Sequence, residues 1–128
     1  MNKLKTKEKI ESWLKEMNIK EYLINQNLTV DIFSNVNLSM KKLKKIPIKF
    51  GIINGNFDCS DNELTTLEGF PEKVGNKIEL NNNKLPKDLI YLLEQNKGNE
   101  LPIIQTYNFK EQMNQELTFN SINKKLKI

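Results

Sequence analysis

The chain has neither histidine nor arginine, and it contains a single cysteine among 128 residues. Without imidazole it lacks the side chain that titrates near neutral pH and the commonest nitrogen ligand for zinc. Cys59 cannot form a disulfide within the chain, and its place in the apolar pattern described below predicts a buried, unreactive thiol. No paired-carboxylate, phosphate-loop or nucleophile–base pattern is present. We therefore predict that the protein is not an enzyme and holds no cofactor or metal.

Long apolar segments are also missing from the sequence. There is no apolar run of about 18 residues, and the N-terminus shows no secretory signal pattern. These features predict a soluble, cytoplasmic protein that does not associate with a membrane. A length of 128 residues fits one domain with a modest core, so we expect a single domain over residues 1–128.

What the chain does contain is a 21-residue pattern that occurs three times between Val36 and Ile90. When the three copies are aligned, three columns are apolar and one is rich in asparagine. The columns are Val36, Phe57 and Ile78; Leu38, Cys59 and Leu80; Lys41, Asn62 and Asn83; and Leu43, Leu64 and Leu85. This string, with a period in the range of about 20 to 29 residues, resembles the leucine-rich-repeat family. It is similar to the short form in small bacterial and bacteriophage proteins, on the segments Ile46 to Gly51 and Phe57 to Gly69.

The resemblance implies an α/β fold, a three-repeat leucine-rich-repeat solenoid with parallel strands over residues 36–90. Phe57 and the other apolar column residues would pack between their equivalents in neighbouring copies. In the family the column asparagine points inward and bonds to backbone groups that the turn leaves unpaired, a role that falls here to Asn62 and Asn83. Lys41 departs from the pattern, and because an amine accepts no hydrogen bond, the asparagine ladder should end there.

Residues 1–35 and 91–128 are expected to cap the two ends of this stack, because a solenoid end exposes apolar surface and unpaired backbone. The N-terminal cap would combine a helix with a β-hairpin, and the C-terminal cap would be helical. The predicted elements are an amphipathic helix from Thr6 to Met17, hairpin strands Tyr22 to Ile24 and Leu28 to Ile32, a helix from Pro86, an edge strand from Leu101 to Thr106, and a helix from Asn108 with the stripe Phe109, Met113 and Leu117.

The outward positions of the predicted parallel strands, and the residues that follow them, are mostly polar. They are Asn35, Asn37, Ser39, Asn56, Asp58, Ser60, Asp61, Lys77, Glu79 and Asn81, continued by Met40 and Asn82. Members of the family commonly bind other proteins with this concave sheet, and the resemblance implies the same use here. Asp58, Asp61 and Glu79 would give the surface an acidic centre that attracts a basic protein surface. The alternative is a face that is merely solvated.

The leading interpretation is therefore a noncatalytic protein-binding module. Because the repeats are similar to bacteriophage ones, a specific version of this hypothesis is a phage-encoded inhibitor of a host or defence protein.

Nucleic-acid binding is the competing hypothesis, and it depends on five lysines that occur within nine residues without an intervening acid. These lysines are Lys41, Lys42, Lys44, Lys45 and Lys49. Clustered cations can displace counterions from phosphates. However, the lysines alternate with core columns, and neither an aromatic stacking platform nor an arginine adjoins them. We therefore regard a solvated face as the simpler interpretation of this run.

Overall fold

The structure is a computed structural model that describes residues 3–101 and 104. Two helices and seven short strands make up this part of the chain. In chain order they are α1 (Lys7–Glu16), β1 (Tyr22–Ile24), β2 (Thr29–Ile32), β3 (Val36–Asn37), β4 (Lys49–Ile53), β5 (Phe57–Asp58), β6 (Lys73–Val74), β7 (Ile78–Glu79) and α2 (Lys87–Gln95).

The strands form two small sheets. A four-stranded mixed sheet has the order β1-β2-β4-β6, in which β1 and β2 are antiparallel and the other neighbours are parallel. A three-stranded parallel sheet has the order β3-β5-β7. The chain therefore alternates between the two sheets after β3, and each return to the same sheet adds a parallel strand.

The prediction of a three-repeat leucine-rich-repeat solenoid is wrong. The described residues form an α/β structure with two helices and two small sheets, one mixed and one parallel, and no solenoid is found among them. The prediction separated the hairpin, as a cap, from one stack of strands, whereas β2 pairs with β4 and β4 with β6. The hairpin belongs to a sheet because the five-residue strand β4 offers β2 a backbone edge with which it can form hydrogen bonds.

The first helix and the hairpin lie where the sequence predicts them. Helix α1 begins after Thr6, whose side-chain oxygen accepts a hydrogen bond from the Lys9 N–H at 3.2 Å. Its apolar stripe is buried at Ile10, Trp13 and Leu14. Strands β1 and β2 pair in antiparallel register as the alternation of apolar and polar residues predicts. These local predictions are confirmed even though the architecture assembled from them is not.

The 21-residue alignment also predicts the register of the parallel sheet correctly. Val36 lies opposite Phe57, and Phe57 lies opposite Ile78. The predicted core residues of the apolar columns are all buried, namely Val36, Leu38, Leu43, Phe57, Cys59, Leu64, Ile78, Leu80 and Leu85. Equivalent residues stand next to each other because the parallel strands pair with a shift equal to the 21-residue repeat, as in Val36 with Phe57.

A row of aromatic rings connects the helix with the two sheets. The ring centroids of Trp13 and Phe50 are 6.5 Å apart, those of Phe50 and Phe57 are 5.8 Å apart, and those of Phe57 and Phe70 are 5.6 Å apart. The last two pairs meet edge to face, an arrangement that aromatic quadrupoles favour. Phe50 belongs to the mixed sheet and Phe57 to the parallel sheet, so this row is the centre of the core.

The column asparagines bond to the backbone as predicted. Asn62 is buried, and its amide oxygen accepts hydrogen bonds from the N–H groups of Lys41 and Leu43, both at 3.0 Å. Its amide nitrogen donates to the carbonyl oxygens of Leu38, at 2.8 Å, and Cys59, at 3.0 Å. Without Asn62, these backbone N–H and carbonyl groups would be desolvated and without a partner, so Asn62 has a structural role.

Helix α2 covers the end of the parallel sheet. It begins after Pro86, as predicted, and Leu89 and Leu93 are its buried residues. Its Glu94 carboxylate accepts a hydrogen bond from the Leu80 N–H at 3.0 Å, in the place where a further strand would supply a carbonyl oxygen. At this point a side chain, rather than another strand, satisfies an N–H group of the sheet edge.

The chain beyond α2 returns to the mixed sheet. Glu100 forms an isolated antiparallel bridge with Lys73, and the Leu101 N–H donates to the Glu72 carbonyl oxygen at 2.8 Å. Of the edge strand predicted from Leu101 to Thr106, the structure describes Leu101, which is outside any strand, and Ile104, which is helical. The helix predicted from Asn108 lies outside the described residues, as do its stripe residues Phe109, Met113 and Leu117.

Candidate functional site

The outer face of the three-stranded parallel sheet, hereafter the strand face, carries the residues predicted to bind a protein. Asn37 lies opposite Asp58, and Asp58 lies opposite Glu79, so the three side chains form one column across the sheet. Asn37 is exposed, and Asp58 and Glu79 are half-buried. Neighbouring strands are about 4.8 Å apart, so two carboxylates are held close together on this surface.

Several polar groups of the strand face are occupied in holding the backbone. The Asp58 carboxylate accepts hydrogen bonds from the Ser60 N–H at 2.9 Å and from its hydroxyl at 2.6 Å. Asn37 makes the same pair of bonds to Ser39, at 3.0 and 2.7 Å. Ser60 is also buried, so its hydroxyl cannot serve as a contact for a partner.

A second set of asparagines links neighbouring strands just before they begin. The Asn35 amide oxygen accepts a hydrogen bond from the Asn56 N–H at 2.8 Å, and the Asn56 amide oxygen accepts one from the Lys77 N–H at 3.0 Å. Asn35 and Asn56 were predicted to lie on the strand face, and this structural role was not predicted. The 21-residue spacing of Asn35 and Asn56 is the signal that could have revealed it, as it did for Asn62.

The residues that follow the strands share a left-handed backbone. Met40, Asp61 and Asn82 have φ angles of 55°, 56° and 61°, and the Asn82 amide nitrogen donates to the Asp61 carboxylate at 2.7 Å. Asparagine and aspartate adopt this conformation with little cost, whereas most other side chains are strained by it. Met40 is nevertheless 74% exposed, so burial of its side chain does not compensate for that strain.

Replacing Met40 with asparagine should raise the free energy of unfolding by about 1 kcal/mol, because asparagine relieves the left-handed strain. Urea denaturation of the two proteins would measure the difference. Met40→Leu is the matched control, since leucine has a similar volume and keeps the strain. An asparagine variant no more stable than the leucine variant would contradict the prediction.

The charges of the strand face are mainly acidic. Asp58, exposed Asp61 and Glu79 contribute three carboxylates, and the Lys77 amine lies 3.7 Å from Glu79. The Lys77 side chain is 64% exposed and that of Glu79 is 38% exposed, so their ion pair is weak and leaves the acidic character of the surface in place. Exposed Asn81 completes the predicted set at its edge.

The five lysines of the nucleic-acid hypothesis do not form one uniform patch. Lys41, Lys42 and Lys44 are exposed, whereas the Lys45 amine lies 3.9 Å from the Glu68 carboxylate. The Lys49 amine donates hydrogen bonds to the carbonyl oxygens of Phe50, at 3.0 Å, and Phe70. Three lysines therefore remain without such contacts in the described part, and the nucleic-acid hypothesis stays a prediction.

The pKa of Lys49 is lowered from its ordinary value. Burial disfavours the charged amine and is the main cause; Glu72 opposes the shift and Lys3 adds to it. A half-buried amine bonded to two carbonyl oxygens is suited to fixing β4 to the segment that precedes β6. Lys49 is for this reason a weaker candidate for a phosphate contact than the exposed lysines.

Chemistry at the lone cysteine is disfavoured by its surroundings. Cys59 is fully buried, and desolvation, with a smaller contribution from Asp58, raises the pKa of its thiol well above the ordinary value. The thiolate is the nucleophilic form, so Cys59 is unreactive in the folded protein. Residues 3–101 and 104 contain no group of three or more side chains placed to hold a metal ion.

Two open grooves run beside α1, and sequence reasoning did not foresee them. The larger, of about 580 Å³, lies between the helix and the segment that enters β1, and is lined by Glu8, Glu11, Ser12, Lys15, Asn18, Ile19, Lys20, Glu21 and Tyr22. The smaller, of about 330 Å³, is lined by Leu4, Glu8, Lys9, Ser12, Trp13 and Glu16. Both have mixed charges without convergent polar groups of one chemical type, so neither indicates a ligand.

Comparisons with protein-family models, with curated proteins and with solved structures found no match to this chain. Neither of the two described helices has the length and apolar composition needed to cross a bilayer.

Proposed function

We propose that this protein is a noncatalytic protein-binding module whose strand face binds a basic surface of another protein. The observation that carries the proposal is the in-register pair Asp58 and Glu79, with Asp61 in the turn that follows β5. Three carboxylates on a surface of about two strand widths produce a local negative potential, although the chain as a whole has a formal net charge of +4. Such a potential selects partners by charge and accelerates their association.

The rigidity of the strand face supports a binding role. Asp58 is fixed by two hydrogen bonds to Ser60, and Asp61 by the amide of Asn82. Side chains that are already ordered lose less conformational entropy when a partner binds. Exposed Met40 adds a flexible apolar group at the margin of this acidic surface, where it can adapt to a partner.

The strained backbone of Met40 is consistent with this use. Met40 has a left-handed backbone and an exposed side chain, so it lowers stability without contributing to the core. Such a destabilising residue is expected more often where its side chain has a function. In this interpretation Met40→Asn gains stability and loses affinity for the partner. The two effects have opposite signs, and each can be measured separately.

The test begins with affinity capture from the native host and identification of the retained protein. Binding kinetics are then compared for the chain and for a triple variant, Asp58→Asn, Asp61→Asn and Glu79→Gln. These substitutions remove three negative charges and retain acceptor oxygens for the bonds to Ser60 and Asn82. The amide of Asn37 already accepts from Ser39 the same pair of hydrogen bonds that Asp58 accepts from Ser60, so the variant should fold.

We expect the triple variant to associate about tenfold more slowly at low salt, and the difference to shrink as salt screens the charges. The matched control is Glu8→Gln, Glu11→Gln and Glu16→Gln on α1, which changes the net charge equally on another surface. Circular dichroism would verify that both variants fold. If the two triple variants bind alike, or if neither differs from the parent, the strand face is not the binding surface.

A further inference from the structure

The outer face of the four-stranded mixed sheet carries an apolar patch formed by Leu23, Phe33 and Ile52. Their side chains are 50%, 55% and 46% exposed, respectively. Leu23 is on β1, Phe33 directly follows β2, and Ile52 is on β4, so the patch extends over three neighbouring strands. Single exposed apolar residues are ordinary, but adjoining ones on one sheet face are typical of an interaction surface.

Four residues form a row across this face, one from each strand. Leu23 lies opposite Asp31, the Ile52 N–H donates to the Asp31 carboxylate at 2.8 Å, and Ile52 lies opposite Lys73. The row therefore runs from Leu23 through Asp31 and Ile52 to Lys73. Since neighbouring strands are about 4.8 Å apart, Asp31 and Lys73 stand at similar distances on the two sides of Ile52.

Hydrogen bonds fix the position of the Asp31 carboxylate on the sheet. Besides the bond from Ile52, it accepts one from the Asn25 amide at 3.2 Å. Gly51 makes this position possible, because a Cβ atom at residue 51 would overlap the Asp31 carboxylate oxygen. The absence of a side chain at Gly51 therefore leaves room for the Asp31 carboxylate beside Ile52.

We propose that this patch is a self-association surface on which a second copy of the chain packs face to face. With a two-fold axis at Ile52, parallel to the strands, the two Ile52 side chains meet at the axis. The order of the row is reversed in the partner, so Asp31 of each copy faces Lys73 of the other. Phe33 then adds apolar surface beside the axis, and Leu23 of each copy lies over the segment at Glu100 that pairs with Lys73 of the other.

The charges on this face indicate that the patch binds a second copy of the chain. A two-fold interface uses the same patch twice, so the patch must be complementary to itself. One acid and one base placed on opposite sides of an apolar centre satisfy this condition, whereas a strongly basic or acidic partner would meet a like charge on one side. The strand face belongs to the other sheet, so self-association leaves it available, and this inference does not depend on the proposed function.

Cysteine crosslinking tests the position of the axis. The native Cys59 is fully buried, so a thiol introduced by Ile52→Cys would be the accessible one. Sheets packed face to face are about 10 Å apart, too far for a disulfide, so a bismaleimide crosslinker of about that span is used; each of its two alkenes adds one thiol, with the sulfur bonding to one alkene carbon and the thiol proton moving to the other. We expect Ile52→Cys to give a covalent dimer at least about tenfold faster than Met40→Cys, which places a thiol at a more exposed position outside the patch.

Sedimentation equilibrium of the unmodified chain tests the association itself. We expect a concentration-dependent dimer. Lys73→Glu should weaken the dimer affinity about tenfold or more, because two like-charge contacts replace two attractive ones. Lys73→Arg keeps the charge and should retain the dimer. Ile52→Ser should also abolish the dimer, with circular dichroism unchanged. A chain that stays monomeric up to about 1 mM, or equal crosslinking rates for the two cysteine variants, would overturn the proposal and leave the patch to a different protein.

Discussion

Replacing Phe57 with alanine should lower the free energy of unfolding by about 3–5 kcal/mol. The side chain is 1% exposed, and its ring meets those of Phe50 and Phe70 edge to face. Alanine would lose the buried area, both aromatic contacts and the filling of the space between the two sheets. A loss of this size is a large fraction of the stability of a small domain, so part of the variant population should be unfolded at physiological temperature.

Urea denaturation followed by circular dichroism would measure the effect of Phe57→Ala. Tyr91→Ala is the matched control, because Tyr91 is an aromatic residue on α2 that is 63% exposed. We expect the control to cost less than about 1 kcal/mol. Similar losses in the two variants would mean that Phe57 is not central to the core, and would weaken the register from which its position was predicted.

That register is the part of the fold that the sequence determines most clearly. Val36, Phe57 and Ile78 recur at the same spacing and prove to be cross-strand neighbours. Helix α1 was also predictable, since its cap residue and its apolar stripe are local features of the sequence. Both predictions depend on periodicity, which is present in the sequence before any distant contact forms.

The second sheet was missed although its strands pair at the same spacing of 21 residues, Ile32 with Ile53 and Ile53 with Val74. The pattern of β4, Lys-Phe-Gly-Ile-Ile, does not alternate strictly, so it was not recognised as a strand. These strands exist because each finds a backbone partner that is distant in sequence, and β2 completes the sheet with a change of register after Val30. Without β4 and β6, the hairpin was interpreted as a cap, and this produced the incorrect solenoid.

The candidate surfaces were predictable in outline only. Outward positions of the parallel strands follow from alternation, so Asp58 and Glu79 were placed correctly on one face. The hydrogen bonds that occupy Asp58 and Asn56 depend on turns and neighbouring strands, and these were missed. The apolar patch at Ile52 was missed for the same reason as the mixed sheet, because it gathers side chains from strands that only long-range pairing brings together.

Replacing Gly69 with alanine should also cost about 3–5 kcal/mol, through the backbone rather than through an apolar cavity. Gly69 has a φ angle of 86°, a conformation that side chains with a Cβ atom rarely adopt. An added Cβ would overlap the carbonyl oxygen of Ile48 and lie 2.8 Å from that of Ile46. The Gly69 carbonyl oxygen accepts a hydrogen bond from the Phe50 N–H at 3.0 Å, so the segment cannot move away without disturbing β4.

Gly98→Ala separates the two causes of this loss. Gly98 has a similar φ angle of 80°, but an added Cβ would meet no atom within 4 Å. The control therefore carries the strain of the left-handed backbone alone, and we expect it to cost about 1–2 kcal/mol. Urea denaturation of both variants gives the cost of the steric overlap by difference. Equal losses would show that the backbone around Ile46 and Ile48 yields to the added methyl group, and that Gly69 is required for its φ angle rather than for close packing.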